Sequence, residues 1–197
     1  MERRQFLITA GTVLTFTFGG CLNAITGGDI DGEIRPDGEP ETVPAPLDCD
    51  RDNVSRHTRG IRDDLRWGDT DEFQLRIDGL SFEYGDTAEI TLGHTGWGSA
   101  KTGSAMKYLL EVKTDAGWQD VRVVPEDSPG IGPPDELIEH DSTEIFTWEL
   151  DLTEAGLARP APFEEYVSVC PELPAGRYRF LYYGLGEHVA VAFDLER

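Results

Sequence analysis

The sequence predicts an all-β protein whose strands form an antiparallel β-sandwich. After Asp71 the apolar residues alternate with polar ones, a period of two that is typical of half-buried strands. Turn residues, mainly Gly, Pro and Asp, separate these segments. About 125 residues are available, which is enough for two sheets that pack face to face around one core. We therefore expect seven to eight strands in residues 72–197.

Seven segments show the alternation, in chain order 73–77, 87–95, 106–113, 118–124, 145–152, 177–183 and 189–195. In the fifth segment Phe146 and Trp148 point to one side of the predicted strand, while Thr147 and Glu149 point to the other. The residues Asp-Ala-Gly at 115–117 lie between the third and fourth segments and predict a hairpin there.

Residues 1–21 have the layout of an export signal. Arg3 and Arg4 precede an apolar run at 6–18, which is shorter than the roughly 20 residues that cross a bilayer as a helix. The arginine pair resembles a twin-arginine signal, and "FGGC" resembles a lipobox, in which Cys21 becomes the lipidated first residue of the mature chain. The alternative is a buried N-terminal strand with a structural cysteine. We expect a protein held on the extracellular face of the cell membrane by the lipid on Cys21.

Two further segments precede the predicted sandwich. Residues 22–47 are rich in Gly, Pro and acidic residues and show no period, so we expect a disordered tether. Residues 48–71 form an arginine-rich lead-in. Arg59, Arg62 and Arg66 have the spacing to share one face of a short helix that grips an anionic polymer or lipid headgroups. The interleaved aspartates favour local ion pairing on a solvated surface instead.

The chain is strongly acidic, with 38 Asp and Glu against 17 Lys and Arg and a formal net charge of −21. Such a surface repels itself in dilute buffer. In molar salt the screening length is about 3 Å, and most of that repulsion disappears. Acid spread along the whole chain, with only three lysines, is typical of halophilic archaea. The alternative is a mesophilic protein that binds cations or basic partners. Nucleic acid is not an expected partner, because its phosphates would be repelled.

The three cysteines are interpreted by location. If Cys21 carries lipid, Cys49 and Cys170 remain as an even pair in an exported protein, and we expect a disulfide between them. Closing a loop of this length stabilises a fold by roughly 4–5 kcal/mol on the chain-entropy argument. Two free thiols are the alternative. Asn53 begins an Asn-Val-Ser sequon, a weak signal for glycosylation.

One stretch carries a resemblance to a known family. "ELPAGRYRF", with "GDTAEITLGHTG", "DAGWQDVR" and "STEIFTWELDL", resembles the immunoglobulin-like domains of bacterial and haloarchaeal exported lipoproteins over residues 72–196. The resemblance implies an immunoglobulin-like sandwich without catalytic residues, and a tyrosine corner in which the Tyr178 hydroxyl bonds back to nearby backbone. The sequence departs from the pattern in two places. Cys49 precedes the first strand, and Pro174 and Ala175 stand where an aspartate is common.

The sequence contains no recognisable catalytic or metal-binding pattern. The four histidines show no metal-ligand spacing, and we expect His94 to be half-buried within its strand. No serine or cysteine has the surroundings of a catalytic nucleophile. The sequence therefore predicts no catalytic residue, no metal and no cofactor.

The glycine-rich stretch 93–103 lacks the spacing of a phosphate-binding loop and is interpreted as a long loop between strands. Trp97 at its tip is a candidate contact for a sugar or a protein, because aromatic side chains supply much of the energy at interfaces.

The acidic stretch 125–141 supports an alternative function. Calcium takes about 6–8 oxygen ligands, and the carboxylates of this loop would supply several. The alternative is therefore an exported metal-binding protein or a metal-dependent hydrolase. Solvated acid, as in the other loops of this chain, is the simpler interpretation and the one we favour.

Taken together, these observations predict a cell-surface, lipid-anchored immunoglobulin-like module of a halophilic archaeon. It would be non-catalytic and would serve binding or envelope assembly. Its expected partners are the membrane, through the lipid on Cys21, and an envelope protein or glycan. A structural spacer without a discrete ligand is a further option.

Overall fold

The computed structural model describes residues 29–56, 65–127, 135–141, 143–158 and 166–197. Strands account for nearly all the regular structure in these ranges, which confirms the all-β prediction. In chain order the elements are β1 (Val54–Arg56), β2 (Leu65–Trp67), β3 (Phe73–Ile77), β4 (Ser81–Glu83), β5 (Thr87–His94), β6 (Ala100–Thr102), β7 (Tyr108–Thr114), β8 (Gly117–Asp120), β9 (Arg122–Pro125), β10 (Ile138–His140), β11 (Glu144–Asp151), α1 (Glu154–Ala158), β12 (Ser168–Val169), β13 (Gly176–Tyr182) and β14 (His188–Glu196).

Two large sheets form the body of the sandwich. The larger has the order β2-β14-β13-β7-β8, and β4 also pairs with β14. The smaller has the order β11-β5-β3. Pairing within both is antiparallel except for β2 and β4, which run parallel to β14. There are also two minor sheets, β1-β9-β12 and β10-β6, and Ala100 of β6 and Val169 of β12 belong to the core.

The apolar faces of the two large sheets pack together and form the core. Phe180 on β13 lies between the rings of Tyr108 and Trp148, with centroid distances of 4.8 and 4.9 Å. Ile90 and Leu92 of β5 are fully buried opposite them. Because strand side chains alternate between two faces, the period of two in the sequence brings these residues together. All seven predicted segments contain strands, and the predicted hairpin joins β7 to β8.

The prediction of one continuous strand over 118–124 is wrong. The chain breaks at Val121, so that β8 pairs with β7 while β9 pairs with β1 and β12. The Asp120 carboxylate accepts hydrogen bonds from the backbone and the guanidinium of Arg122. These local hydrogen bonds lie where the pairing of β8 with β7 ends and the pairing of β9 with β1 and β12 begins.

The described residues contain fourteen strands, more than the seven to eight expected. The additional strands are two to four residues long, too short to show a period in the sequence. Two of them, β1 and β2, lie in the predicted lead-in and therefore extend the sheets to residues before 72.

Residues 29–48, which we call the strap, run from the edges of β3 and β14 over the face of the larger sheet that points away from the core, which we call the outer face. The strap begins at the edge of β3, where Glu33 and Ile77 exchange backbone hydrogen bonds of 2.7 and 3.0 Å. It ends at β8, where the Leu47 amide donates to the Gln119 side chain. Between these points it receives hydrogen bonds from Ala192 of β14, Arg177 of β13 and Asp115 of the β7–β8 turn.

This arrangement differs from the predicted disordered tether at residues 22–47. The prediction assumed that a segment must bury apolar side chains to be ordered. The strap is held both by its backbone and by a few apolar side chains, since Leu47 packs against the core and Pro40 is buried. Its carbonyl groups accept hydrogen bonds from the sheet, including one of 2.6 Å from Arg177 to Gly38. Residues 22–28 lie outside the described ranges.

Other predictions also fall on residues outside these ranges. The signal segment with Cys21 and the arginines Arg59 and Arg62 are among them. Arg66 is described and lies in β2, not in a helix, with its Nε 3.3 Å from the Glu187 carboxylate. Within the described ranges, no helix has the length and apolar character needed to cross a membrane.

Candidate functional site

Three loops meet at one end of the sandwich, which we call the loop end. They are the turn 68–72 after β2, the loop 95–99 after β5 and the loop 183–187 between β13 and β14. The Thr95 amide donates to the Glu72 carbonyl at 2.9 Å. The Gly103 amide donates to the Gly184 carbonyl at 2.6 Å. These backbone bonds tie the ends of different strands to one another.

Trp97 is the most exposed of the large apolar side chains in the described residues, at 83 %. Gly98, which follows it, has a φ of +89°, a backbone conformation that glycine adopts without strain. Gly96, which precedes it, packs so closely on the buried His94 ring that a Cβ there would lie 2.6 Å from Nε2. The loop therefore requires both glycines and presents the indole to solvent between them.

A shallow cleft of about 210 Å³ lies between the turn 68–72 and the loop 183–187. Its lining combines the apolar residues Phe73 and Leu185 with the acidic residues Asp71, Glu72 and Glu187. Carboxylates accept hydrogen bonds from hydroxyl and ammonium groups. The loop end thus combines the exposed Trp97 side chain with a neighbouring cleft, in which carboxylate hydrogen-bond acceptors surround a small apolar surface.

The base of the loop end is rigid. The His94 ring lies 5.6 Å from the Phe73 ring, and both side chains are buried. His94 therefore packs inside the sandwich and is more deeply buried than the half-buried position that we expected. An exposed residue such as Trp97, carried by a loop on packed strands, is typical of a contact site.

The acidic stretch 125–141 is described at 125–127 and 135–141. Asp135 accepts a hydrogen bond from Lys107 at 2.8 Å, and Glu139 accepts one from Ser99 at 2.8 Å. His140 Nε2 lies 2.9 Å from the Thr102 hydroxyl, and burial lowers the pKa of the imidazole. Across the part of the chain that the structure describes, no three His, Cys, Asp or Glu side chains are grouped so that they could hold a metal ion.

The outer face carries a buried ionic cluster that sequence reasoning missed. Arg179 donates to Glu111 at 2.5 Å, and its guanidinium stacks 4.5 Å from the centroid of the Trp118 ring. Beside this pair, Arg122 bonds to Asp120, and both side chains are buried. Burial raises the pKa of Glu111, although the Arg179 guanidinium opposes that shift. Burial disfavours the charge of Arg122, yet the Asp120 carboxylate raises the pKa of the guanidinium above its usual range.

The signal that could have revealed this cluster is the placement of Arg and Glu in the middle of otherwise apolar strands. Arg179 stands between Tyr178 and Phe180, and Glu111 between Leu110 and Val112. Opposite charges at directly facing positions on neighbouring strands form cross-strand pairs. The strand order is needed to see which residues are neighbours.

Two contacts involve residues to which the sequence analysis gave a structural role. Cys49 and Cys170 form a disulfide with a Cα–Cα distance of 5.5 Å, which ties the end of the strap to the residue after β12. The Tyr178 hydroxyl donates to the Pro174 carbonyl at 2.7 Å, four residues upstream, as in a tyrosine corner. Burial raises the pKa of this tyrosine. Asn53 is exposed in the turn before β1.

Comparison with known proteins adds no relatives. None of the protein-family models matches this chain. A search of curated proteins likewise returned no match. The candidate site at the loop end is therefore supported by the residues and their contacts alone.

Proposed function

We propose that this protein is an exported, lipid-anchored module that binds a partner at the loop end of its sandwich and carries out no catalysis. The proposal includes the immunoglobulin-like class suggested by the sequence, attachment to the cell surface through Cys21, and a halophilic archaeal source. Its partner would be a component of the envelope, a protein or a glycan.

The observation that carries the binding role is the exposure of Trp97. Leaving an indole in water forgoes about 2 kcal/mol or more of burial energy, so a partner that covers it gains that amount. The glycines on both sides let the loop present the indole to solvent without backbone strain. Acceptors around the neighbouring cleft add directional contacts for hydroxyl or ammonium donors.

Retention of envelope components by the purified protein tests this role. Envelope extract is passed over the immobilised protein in molar salt, and the bound proteins and glycans are identified. We expect retention that falls at least tenfold in Trp97→Ala. Leu137→Ala is the matched control, since Leu137 is 77 % exposed and lies outside the loop end. Equal retention by both variants, or no retention by the wild type, contradicts the binding role.

The membrane anchor has its own test. Mass spectrometry of the membrane-bound protein should find Cys21 as a modified N-terminal residue. Cys21→Ser should release the protein from the membrane fraction. An N-terminus that still begins at Met1 contradicts both export and lipidation.

The halophilic assignment predicts a dependence of stability on salt. With a formal net charge of −21, the folded protein should melt at a temperature that rises steeply between dilute buffer and molar salt. Thermal unfolding at several potassium chloride concentrations measures this. A melting temperature that does not change with salt contradicts the assignment.

A further inference from the structure

The strap enters the sandwich at the loop end. The Ile30 amide donates to the Gln74 side chain at 3.2 Å, and Gln74 in turn donates to Asp29. Ile30 also packs against Gly93, where an added Cβ would lie 3.0 Å from its side chain. Gln74 and Gly93 are register partners near the ends of β3 and β5 that lead into the turn 68–72 and the loop 95–99. The first described residues therefore lie beside the loops that present Trp97.

The chain between Cys21 and this entry point is short. Asp29 is eight residues beyond Cys21, and eight extended residues span at most about 29 Å. Since the strap is bound to the sheet from residue 29 onward, it adds no length to the tether. A lipid on Cys21 thus keeps the loop end close to the bilayer, whereas a free tether over 22–47 would have allowed the domain to move well away.

Trp97 lies within the same reach. It is four residues beyond Gly93, so its Cα is at most about 14 Å from the strap entry. Tryptophan side chains favour the interfacial layer of membranes, where the ring is partly buried and its N–H stays hydrated. A lipid chain gives stable membrane attachment only when a second contact assists it.

The charges around Trp97 allow this approach in salt. The loop 95–99 has no charged residue of its own, although its Ser99 donates to the Glu139 carboxylate, and exposed Lys101 follows it on β6. Three carboxylates, those of Asp71, Glu72 and Glu187, line the neighbouring cleft. Their repulsion from anionic lipid is screened within about 3 Å in molar salt.

We propose that the partner of Trp97 is the bilayer itself: the lipid on Cys21 and the short linker 22–28 hold the loop end against the membrane, and the Trp97 indole lies in the interfacial layer. This rests on the proposed lipid anchor, and it puts the lipid surface in place of the protein or glycan as the partner of Trp97. The Trp97 indole and the lipid on Cys21 then act together as two points of attachment to the membrane.

Depth-dependent fluorescence quenching tests the proposal. The full mature lipoprotein is reconstituted in molar salt into phosphatidylcholine vesicles that contain phospholipids brominated at known depths. We expect strong quenching by shallow bromines, and at least a threefold loss of that quenching in Trp97→Phe. Trp118→Phe is the control, because Trp118 lies against Arg179 on the outer face. It should leave the quenching unchanged.

Lengthening the linker provides a second measurement that does not alter Trp97. Inserting twenty Gly and Ser residues between positions 28 and 29 raises the sequence separation of Cys21 and Asp29 from eight to twenty-eight residues. The local concentration of the loop end at the membrane should then fall about sixfold, from the −3/2 power of length. Quenching should fall in step, and unchanged quenching would show that the anchor does not position Trp97.

The outcomes separate the two proposals. If mass spectrometry finds lipid on Cys21 but the fluorescence of Trp97→Phe is quenched as strongly as that of the wild type, the membrane contact is overturned and the anchor stands. If Trp97 is unquenched yet needed to retain an envelope protein or glycan, the membrane contact is likewise overturned in favour of that partner. If Cys21 carries no lipid, the proposed anchor fails and the membrane contact fails with it.

Discussion

The two faces of the larger sheet are both buried, but they are buried by different interactions. The inner face presents Tyr178, Phe180 and Tyr182 of β13 to the smaller sheet, and rings stack or tilt against one another there. The outer face presents Arg177 and Arg179 of the same strand, and beyond them Leu181 in a small apolar cluster with Leu109 and Ala190. The partners of the two arginines are carboxylates, strap carbonyls and the ring of Trp118.

This difference shows two ways to exclude water from one strand. Burial of apolar rings is favourable by itself and depends little on direction. Burial of charged side chains is costly unless each charge has a partner of good geometry. We therefore expect a change in the shape of an inner-face side chain to cost less stability than the loss of one partner of an outer-face charge. Four predictions test this contrast, from the largest expected effect to the smallest.

Removing the disulfide should have the largest effect, because it fixes the strap that crosses the outer face. Replacing Cys49 and Cys170 by Ser opens a loop with a sequence separation of 121 residues. We expect a loss of roughly 4–5 kcal/mol in the free energy of unfolding. Urea unfolding in molar salt measures it. A loss below about 1 kcal/mol would show that hydrogen bonds alone hold the strap.

Truncating the centre of the inner face comes next. Phe180 is fully buried between Tyr108 and Trp148, so Phe180→Ala leaves a cavity that the rigid sheets cannot close. We expect a loss of about 4 kcal/mol in the free energy of unfolding. Phe180→Leu keeps most of the volume and should cost less than half as much. Equal losses in the two variants would contradict a cavity as the cause.

Breaking the ion pair on the outer face should cost about 3 kcal/mol. Glu111→Ala leaves the Arg179 guanidinium buried without its carboxylate. Replacing both residues, Glu111→Leu with Arg179→Met, removes both charges and should restore stability to within about 1 kcal/mol of the wild type. The rise in the pKa of Glu111 on burial supports this expectation, since it shows that the charge is costly there. A double variant as unstable as the single one would contradict it.

The smallest effect is a pH dependence from His140, whose ring contacts Phe146 beside the core. Burial lowers the pKa of His140 below 6.5, so the unfolded chain binds its proton more readily than the folded protein does. This contribution to stability is complete above the unfolded pKa and is lost as the pH falls through 6.5 towards the folded pKa. Thermal melts between pH 7.5 and 5.5 measure it. His140→Gln should reduce the slope, and an unchanged slope would assign it to other groups.

The sequence by itself determined the class of the fold and the composition of the inner face. Alternation of apolar and polar residues requires only the geometry of a strand, so it predicted the seven longer segments and the hairpin at 115–117. The resemblance to immunoglobulin-like domains implied a tyrosine corner, and the Tyr178 hydroxyl does donate to backbone four residues upstream. The disulfide was expected on the assumption that Cys21 carries lipid, and the exposure of Trp97 from its place at the tip of a glycine-rich loop.

The tertiary structure alone decided what covers the outer face and where the loops meet. The strap is attached largely through backbone carbonyls, which every sequence has, and through a few side chains such as Leu47, so its composition predicted disorder where the structure has bound chain. Glu111 and Arg179 are 68 residues apart and become neighbours only because β7 pairs with β13. The Trp97 loop and the strap entry adjoin for the same reason: strand pairing sets long-range proximity, and a local pattern contains no information about which strands pair.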